Sequence, residues 1–392
     1  MVEWAGLENR NTRKRIVGSN PTLSAKLISG LRLLLLWVAM LPLMGTAYAL
    51  AAQTLSPEIE SFIQEMVQKH QFKDATLRRL FAKVEPNPAV ISAISAPITA
   101  LPWYEFRSRF VDAVRINGGV RFWREHAATL EKASREFGVP EEIIVATIGV
   151  ETIYGRRTGG YGVLEALTML AFNYPPRAEL FRSELVQYLL LAREARIDAT
   201  SMKGSYAGAI GIPQFMPSSY RRYAVDFDGD GKRDLLNSPA DAIGSVANYY
   251  KSHGWRAGET IVVPAEVEPG SANALVELGV KPQLKVSELK RRGVSPAMTI
   301  DEGREAALIT AESEKGPSFW LGLNNFYVIT RYNRSINYAL AVHELARELR
   351  AQFRPEDSRD GLKDNSNAIE PPMDADQTDT NRQDAERIRN NN

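Results

Sequence analysis

The stretch PEEIIVATIGVETIYG, from Pro140 to Gly155, decides the fold. Pro140 suits the first position of a helix, and Glu141 and Glu142 complement the positive end of its dipole. Gly155 stops it, which predicts a helix over Pro140–Tyr154. Between them run Ile143, Ile144, Val145, Ala146, Thr147, Ile148, Gly149 and Val150. A helix that is apolar nearly all round has no face to give to water, so it is buried. Glu151 ends that run, with Thr147, Ile148 and Tyr154 as its neighbours on the helix surface. No basic residue shares the face. Burial without a cation raises a carboxyl pKa, and the negative end of the helix dipole pushes the same way. A carboxyl kept protonated near neutral pH can give its proton to a leaving group. The helix pattern alone leaves a second reading open, in which Glu151 pairs with Arg156 or Arg157.

Working outward, Val120–Phe137 and Ala178–Arg193 also read as helices, and 103–250 is mostly helical. Ser56 to about Pro97 is helical too, opened by Ser56-Pro57-Glu58-Ile59-Glu60 as N-cap, first-turn proline and acids. The texture changes between Gly258 and Pro317. There Thr260–Pro264 and Gln283–Val286 are short β-type runs, and Leu275–Leu278 and Val286–Arg292 read as short helices. Asn325–Phe353 returns to helix. The fold class is mainly α (α+β), with a small β-containing insertion.

At 392 residues, 44% of them hydrophobic, the chain is too long for one core and suggests two or three structural units. The first 49 residues hold six Lys/Arg against two Glu, then the apolar run Leu31–Met44 and a small-x-small signal at Ala47-Tyr48-Ala49. That reads as a signal peptide, with an uncleaved anchor as the alternative; Pro42 and the short run argue against a stable span. The tail from Arg354 carries six basic and ten acidic residues and few apolar ones, so it reads as disordered. The body between is near +1, which gives no electrostatic case for nucleic acid. With no cysteine there is no disulfide and no lipid-modified N-terminal cysteine. His70, His126, His253 and His343 show no metal-ligand spacing.

Four segments carry a family resemblance. Gly149-Val-Glu-Thr-x-Tyr-Gly155 resembles the catalytic segment of the lytic murein transglycosylase B family. The run from Gly204 to Tyr220 (GSYAGAIGIPQFMPSSY) looks like that family's substrate-groove loop. Asp241 to Tyr249 (DAIGSVANY), and Asn325 to Tyr338 (NFYVITRYNRSINY), are similar to two further segments. The resemblance runs from about Trp103 to His343. It implies a lysozyme-like catalytic core with a helical domain and a small β-containing domain. It also implies cleavage of the MurNAc-β-1,4-GlcNAc bond of peptidoglycan without water, leaving 1,6-anhydro-MurNAc ends. Glu151 would be the single catalytic acid/base, since no second carboxylate of the usual glycosidase pair lies in the matching motifs. By the same resemblance Ser205 and Gln214 bind sugar, and Gly204, Gly208 and Gly211 let backbone approach the glycan. Tyr249, Tyr332, Asn333 and Tyr338 match positions that line the groove. The bland alternatives are a tight-turn connector for the loop and ordinary packing for the tyrosines.

Asp226-Phe-Asp228-Gly-Asp230-Gly231-Lys232 matches the opening of an EF-hand loop, with oxygen ligands at alternate positions, a turn glycine and a backbone carbonyl. Where that loop ends in Glu, this chain has Asn237. The family resemblance implies a lengthened loop closed by Asp241. The ligand set for a structural Ca²⁺ is then Asp226, Asp228, Asp230, the Lys232 carbonyl and Asp241, with Asp234 as an alternative. A solvated acidic turn is the other reading. No organic cofactor is expected.

These readings combine into an organisation. Residues 1–49 are a signal peptide and 50–100 an N-terminal helical segment. Residues 101–257 form a catalytic core with the acidic loop, 258–317 a small α/β insertion, 318–353 the C-terminal helical part of the core, and 354–392 an acidic tail. The expected protein is periplasmic, soluble and without a lipid anchor. Its partner is the peptidoglycan strand; the acidic tail reads first as a solvated extension, with contacts to cell-wall enzyme complexes as the second reading. A hydrolytic muramidase and a non-catalytic peptidoglycan-binding scaffold are the alternatives.

Overall fold

The computed structural model describes residues 55–95 and 101–353. The expected signal peptide and acidic tail lie outside the described residues. The chain divides into two compact units, each assembled from separate stretches of sequence.

The first unit comprises the N-terminal stretch to Leu101, Gly155–Ala224 and Leu235–Asn237. Its opening helix, Pro57–His70, buries Phe62, Ile63 and Met66 on one stripe and ends at Gln71 in a left-handed conformation. Helices Asp74–Phe81 and Pro88–Ile94 follow. Helices Val163–Asn173 and Ala178–Glu194 pack side by side and supply the largest share of apolar surface, from Val163 and Leu167 to Leu189 and Leu191. Strands β1 (Tyr161–Gly162) and β2 (Lys203–Gly204) pair antiparallel, Tyr161 opposite Gly204 and Gly162 opposite Lys203. The chain leaving β2 folds on itself through bridges Gly204↔Ile210 and Ile210↔Phe215 before helix Pro217–Tyr223.

The second unit comprises Pro102–Tyr154, Val225–Asp234 and the chain from Ser238 onward. At its centre lies the helix Glu141–Thr152, with every residue from Ile143 to Thr152 buried. Helices Ala113–Glu125, Ala127–Phe137, Pro239–Ser252 and Ile336–Gln352 pack around it. A helix with apolar residues on all sides needs neighbours on all sides, and it has them. Two boundaries differ from the sequence reading. Pro140 is the N-cap rather than the first helical residue, and the helix stops at Thr152 because Ile153 and Tyr154 adopt positive φ (51° and 61°). The helix expected over Val120–Phe137 is two helices broken at His126. Likewise Asn325–Phe353 is broken after Tyr332 and restarts at Ile336, where Ser335 caps Tyr338 N at 3.3 Å.

The second unit also carries an antiparallel sheet of five strands in the order β4-β6-β7-β3-β5. These are β3 (Val262–Val267), β4 (Leu284–Lys285), β5 (Val294–Pro296), β6 (Glu305–Ser313) and β7 (Gly316–Gly322). Val263, Leu275, Val286, Leu289, Val294, Leu308 and Leu321 form its own core. The long β6–β7 hairpin is absent from the sequence reading. In β6, Ala306, Ala307, Leu308 and Ile309 are buried one after another, so the alternation that marks a strand is missing. Among the described residues no helix is long and apolar enough to cross a membrane.

Candidate active site and acidic loop

Glu151 sits in the last turn of the central helix and is 6% exposed. Its Oε1 accepts a hydrogen bond from the Tyr338 hydroxyl at 2.6 Å. Burial pushes its pKa up to about 8, and the bond from Tyr338 opposes that shift without overcoming it. No charged group contributes among the described residues, so the ion-pair reading of Glu151 has no support in its electrostatics. A carboxyl in this state is a proton donor at neutral pH.

Tyr338, Tyr332 and Tyr250 lie around that carboxyl, with Tyr249 packed behind them. The ring of Tyr332 lies 6.3 Å from Tyr338 and nearly parallel to it, 5.5 Å from Tyr250 and 4.8 Å from Tyr249. Tyr249 donates to the Arg331 carbonyl at 2.6 Å and stacks on His253 at 4.1 Å. Asn333 is buried, and its Oδ1 accepts from Ser335 N at 3.1 Å. Burial first, and then the Glu151 charge, hold the Tyr332 and Tyr338 phenols well above their usual range. They therefore act as neutral hydrogen-bonding groups. The structure thus gathers Glu151, Tyr249, Tyr332, Asn333 and Tyr338 within the second unit.

Three features escaped the sequence reading. Tyr250 is fully buried beside Thr147, with 2.8 Å between their oxygens. Thr147 spends its own proton on the Ile143 carbonyl at 2.7 Å, so Tyr250 is the donor of the pair. The signal was present: Thr147 lies one turn before Glu151, and Tyr250 directly follows the matched segment that ends at Tyr249. The second feature is Arg115, which is buried; its guanidinium donates to the Gly149 carbonyl (3.2 Å), the Arg109 carbonyl (2.7 Å) and Asp112 (2.8 Å). It thereby holds the end of the helix that carries Glu151. The third is a slot for Tyr154. This residue donates to the Arg115 carbonyl at 2.7 Å, and its ring stacks on Phe122 at 5.3 Å. A Cβ at Gly119 or Gly149 would overlap the Tyr154 hydroxyl, and one at Gly118 would press on the ring at 3.1 Å. The glycine pair inside helix Ala113–Glu125 was its signal, since glycine in a helix interior needs a packing reason.

In the first unit, Ser205 is fully buried, and its Oγ accepts from Ala207 N (3.1 Å) and Ala209 N (3.2 Å). Gln214 has a positive φ of 52° and is 3% exposed. Its Nε2 donates to the Thr158 and Gly211 carbonyls at 3.0 and 2.8 Å, while Oε1 is buried without a partner. The glycines of this loop serve its own packing: a Cβ at Gly204 would overlap the Ala209 carbonyl, and one at Gly211 the Leu235 carbonyl. Both expected sugar-binding side chains therefore hold the loop in shape.

In the acidic loop, carboxylate oxygens of Asp226, Asp228 and Asp230 lie within 4.8 Å of one another on the surface. The loop amides wind around them: Asp226 accepts from Gly229 N and Gly231 N at 2.8 Å, and Asp230 from Lys232 N at 2.8 Å. Three such carboxylates with a turn glycine (Gly231, φ 88°) are a hard-oxygen donor set that fits Ca²⁺. Asp241 adjoins that cluster, close enough to Asp228 to interact with its charge and its backbone. It is buried, and its two oxygens accept from Phe227 N at 2.8 Å and Asp234 N at 2.7 Å, so it closes the loop through backbone bonds.

Residues 54–347 match the family described as "Transglycosylase SLT domain". The chain is 42% identical over 301 residues to membrane-bound lytic murein transglycosylase B of Escherichia coli (strain K12), spanning 74% of this chain and 82% of that protein. It superposes on the crystal structure of soluble lytic transglycosylase SltB1 from Pseudomonas aeruginosa with a TM-score of 0.71 and 48% identity, covering 76% of this chain and 99% of that one. The Escherichia coli lytic transglycosylase Slt35 in complex with calcium matches with a TM-score of 0.69 and 41% identity, over 75% and 93% of the two chains. SltB3 from Pseudomonas aeruginosa in complex with NAG-NAM-pentapeptide matches with a TM-score of 0.66 and 33% identity, over 76% and 80%.

Proposed function

The chain belongs to the transglycosylase SLT domain family, and from that membership we propose that it is a lytic transglycosylase of peptidoglycan with Glu151 as its one acid/base. Its fold is the lysozyme-like one of those enzymes. The observation that carries the reading is a buried, neutral carboxyl at the end of an apolar helix, held by a phenol and by no cation.

The chemistry follows from that state. Glu151 gives its proton to the glycosidic oxygen as the bond from C1 of MurNAc breaks, and the GlcNAc side leaves as an alcohol. The N-acetyl carbonyl of the same MurNAc shares the charge at C1. The C6 hydroxyl then attacks C1, its proton passes to the Glu151 carboxylate, and a 1,6-anhydro end forms. Atoms balance without water, and the acid is regenerated. Tyr338 orients the carboxyl and stabilises its charged form between the two steps. Tyr249, Tyr332 and Asn333 offer ring faces and an amide to the sugar. Ser205 and Gln214 fix the loop in the first unit, where the unpartnered Gln214 Oε1 accepts from a sugar hydroxyl.

The acidic loop takes a structural Ca²⁺ through Asp226, Asp228 and Asp230, with the Lys232 carbonyl as a further ligand. Asp241, which also braces the loop through its backbone bonds, completes the ligand set. We place the protein in the periplasm after removal of residues 1–49, acting on glycan strands that carry peptide.

The test is a digest of purified peptidoglycan by residues 50–392, with Glu151→Gln as control, read by mass spectrometry. Products one water lighter than hydrolytic ones, lost by at least roughly 10²-fold in the variant, are expected. Reducing-end products would mean a hydrolytic muramidase. No cleavage by either protein, with glycan binding retained, would mean a scaffold.

A further inference from the structure

Behind Tyr338 stands a file of buried hydroxyls that the chemistry above leaves without a part. It begins inside the central helix. Thr147 is the one polar side chain between Ile143 and Val150, where valine would fill the same space. Its Oγ1 donates to the Ile143 carbonyl at 2.7 Å, so toward Tyr250, 2.8 Å away, it has only a lone pair to offer. Tyr250 therefore spends its single proton on Thr147 and turns a lone pair to its other neighbour. That neighbour is the Tyr338 hydroxyl, which interacts with Tyr250 as well as donating to Glu151 Oε1 at 2.6 Å. Thr147 and Tyr250 are fully buried and Tyr338 is 3% exposed, so bulk water does not stand in for a missing partner.

Two acceptors thus compete for the one proton of Tyr338: the oxygen of Tyr250 and the carboxyl of Glu151. The balance between them depends on the charge of the carboxyl. A neutral carboxyl oxygen is an ordinary acceptor, whereas a carboxylate makes hydrogen bonds roughly twice as strong. Tyr250 holds the proton only while Glu151 is neutral. The other groups near Glu151 do not enter this balance. Tyr332, on helix Asn324–Tyr332, is a neutral phenol. Arg115, on helix Ala113–Glu125, is engaged by the Gly149 carbonyl and Asp112. Among the described residues no charged group on the packed helices shifts the carboxyl.

We propose that Tyr250, set by Thr147, is a positioning residue for the acid: it accepts the Tyr338 proton while Glu151 is neutral and yields it once Glu151 has given its own proton to the leaving oxygen. The inference rests on the reading of Glu151 as the acid/base, and it says what keeps that acid protonated until the bond breaks. Tyr338 keeps its own proton throughout, and only the direction of its O–H changes. An acceptor at Tyr250 stabilises the protonated form of Glu151 over the ionised one. Without it Tyr338 donates to Glu151 in both states, which favours the charged form. Tyr250 is fully buried and meets neither the sugar nor the reacting atoms, so its effect passes through Tyr338.

The pH dependence of kcat on purified glycan strands, read as 1,6-anhydro products, tests this in the full chain. Tyr250→Phe removes the acceptor. Thr147→Val frees the Tyr250 proton to turn on Tyr338, which blocks the same acceptor. Both variants move the alkaline limb to lower pH by roughly half a unit or more, the effect of one hydrogen bond. Thr147→Ser keeps the limb of the wild type. Tyr338→Phe moves it the other way, and Tyr250→Phe added to Tyr338→Phe moves it no further. A purely structural role would lower kcat evenly across pH and leave the limb in place. The proposal is overturned if the limb stays, if it moves to higher pH in Tyr250→Phe, or if the two substitutions add. Melting curves separate that outcome from failure of the enzymatic reading. Stability falls with rising pH until Glu151 has ionised, so the fall should end at a lower pH in Tyr250→Phe than in the wild type, where it ends at about 8. Wild-type protein that cleaved no strand would overturn the transglycosylase reading instead, and the melting curves would still decide the part of Tyr250.

Discussion

At the scale of one residue, Glu151 ties stability and activity to pH in the same window. Its folded-state pKa is raised from 4.5 to about 8, so between those values the folded chain holds a proton that the unfolded chain has released. Stability from this group is fully present below 4.5 and is lost as pH rises through 8, at about 1.4 kcal/mol per pH unit in that window. Glu151→Gln removes the dependence. The melting temperature of the variant should therefore climb above that of the wild type as pH goes from 5 to 8; parallel curves would mean that the carboxyl is not buried as described. Activity should fall as pH rises through about 8, where the proton donor is lost. Tyr338→Phe removes the one bond that lowers this pKa, so the alkaline limb of the pH–rate profile should move to higher pH. A limb that stayed put would detach Tyr338 from the acid. Glu151 was legible because an acid ending an otherwise apolar run is a local pattern. Its partner was not legible as such, since Tyr338 lies 187 residues away and only the fold brings it there.

At the scale of the element, the end of the central helix is set by crowding rather than by propensity. Ile153 is β-branched and sits at φ 51°, a conformation such residues rarely take, at a cost of order 1–3 kcal/mol. It is held there because Tyr154 must enter its slot between Gly118, Gly119 and Gly149. The sequence reading ran this helix on to Tyr154, because it expected Gly155 alone to stop it. Gly149→Ala makes the competition measurable. On propensity alone, alanine gains about 1 kcal/mol in a helix interior. Here its methyl overlaps the Tyr154 hydroxyl, and overpacking costs about 1–3 kcal/mol. A lower melting temperature is expected, and Gly149→Ala combined with Tyr154→Phe should recover part of it. Helices with caps and stripes, such as Pro57–His70 with Ser56, were readable for the reason β6 was not: their burial follows one face.

At the scale of the whole molecule, the sequence reading saw a mainly helical chain with a small β-containing part, but it followed the chain's order. The two compact units do not follow that order. Each takes pieces from both sides of the other, as with Leu235–Asn237, which joins the first unit from inside the acidic-loop segment of the second. No periodicity in the sequence announces such an exchange, because it is a matter of which surfaces meet. The carboxylates of the acidic loop belong to the second unit, so a bound ion there should stabilise that unit. Chelation should lower the melting temperature, and added Ca²⁺ at about 100 times its Kd should restore roughly 2.7 kcal/mol. An unchanged melting temperature, with no heat of binding, would remove Ca²⁺ from the account.

The Tyr154 slot has a consequence for how such a sequence can drift. Positions 118, 119, 149 and 154 are bound into one bargain. Alanine at Gly149 is eased only in part once the Tyr154 hydroxyl has gone, because its Cβ still meets the ring at 2.7 Å, and losing that hydroxyl first abandons its bond to the Arg115 carbonyl. Either single step runs downhill in fitness before a second can recover it. Descendants of this chain should therefore change these four positions together or leave them alone, whatever happens elsewhere in the helices that carry them.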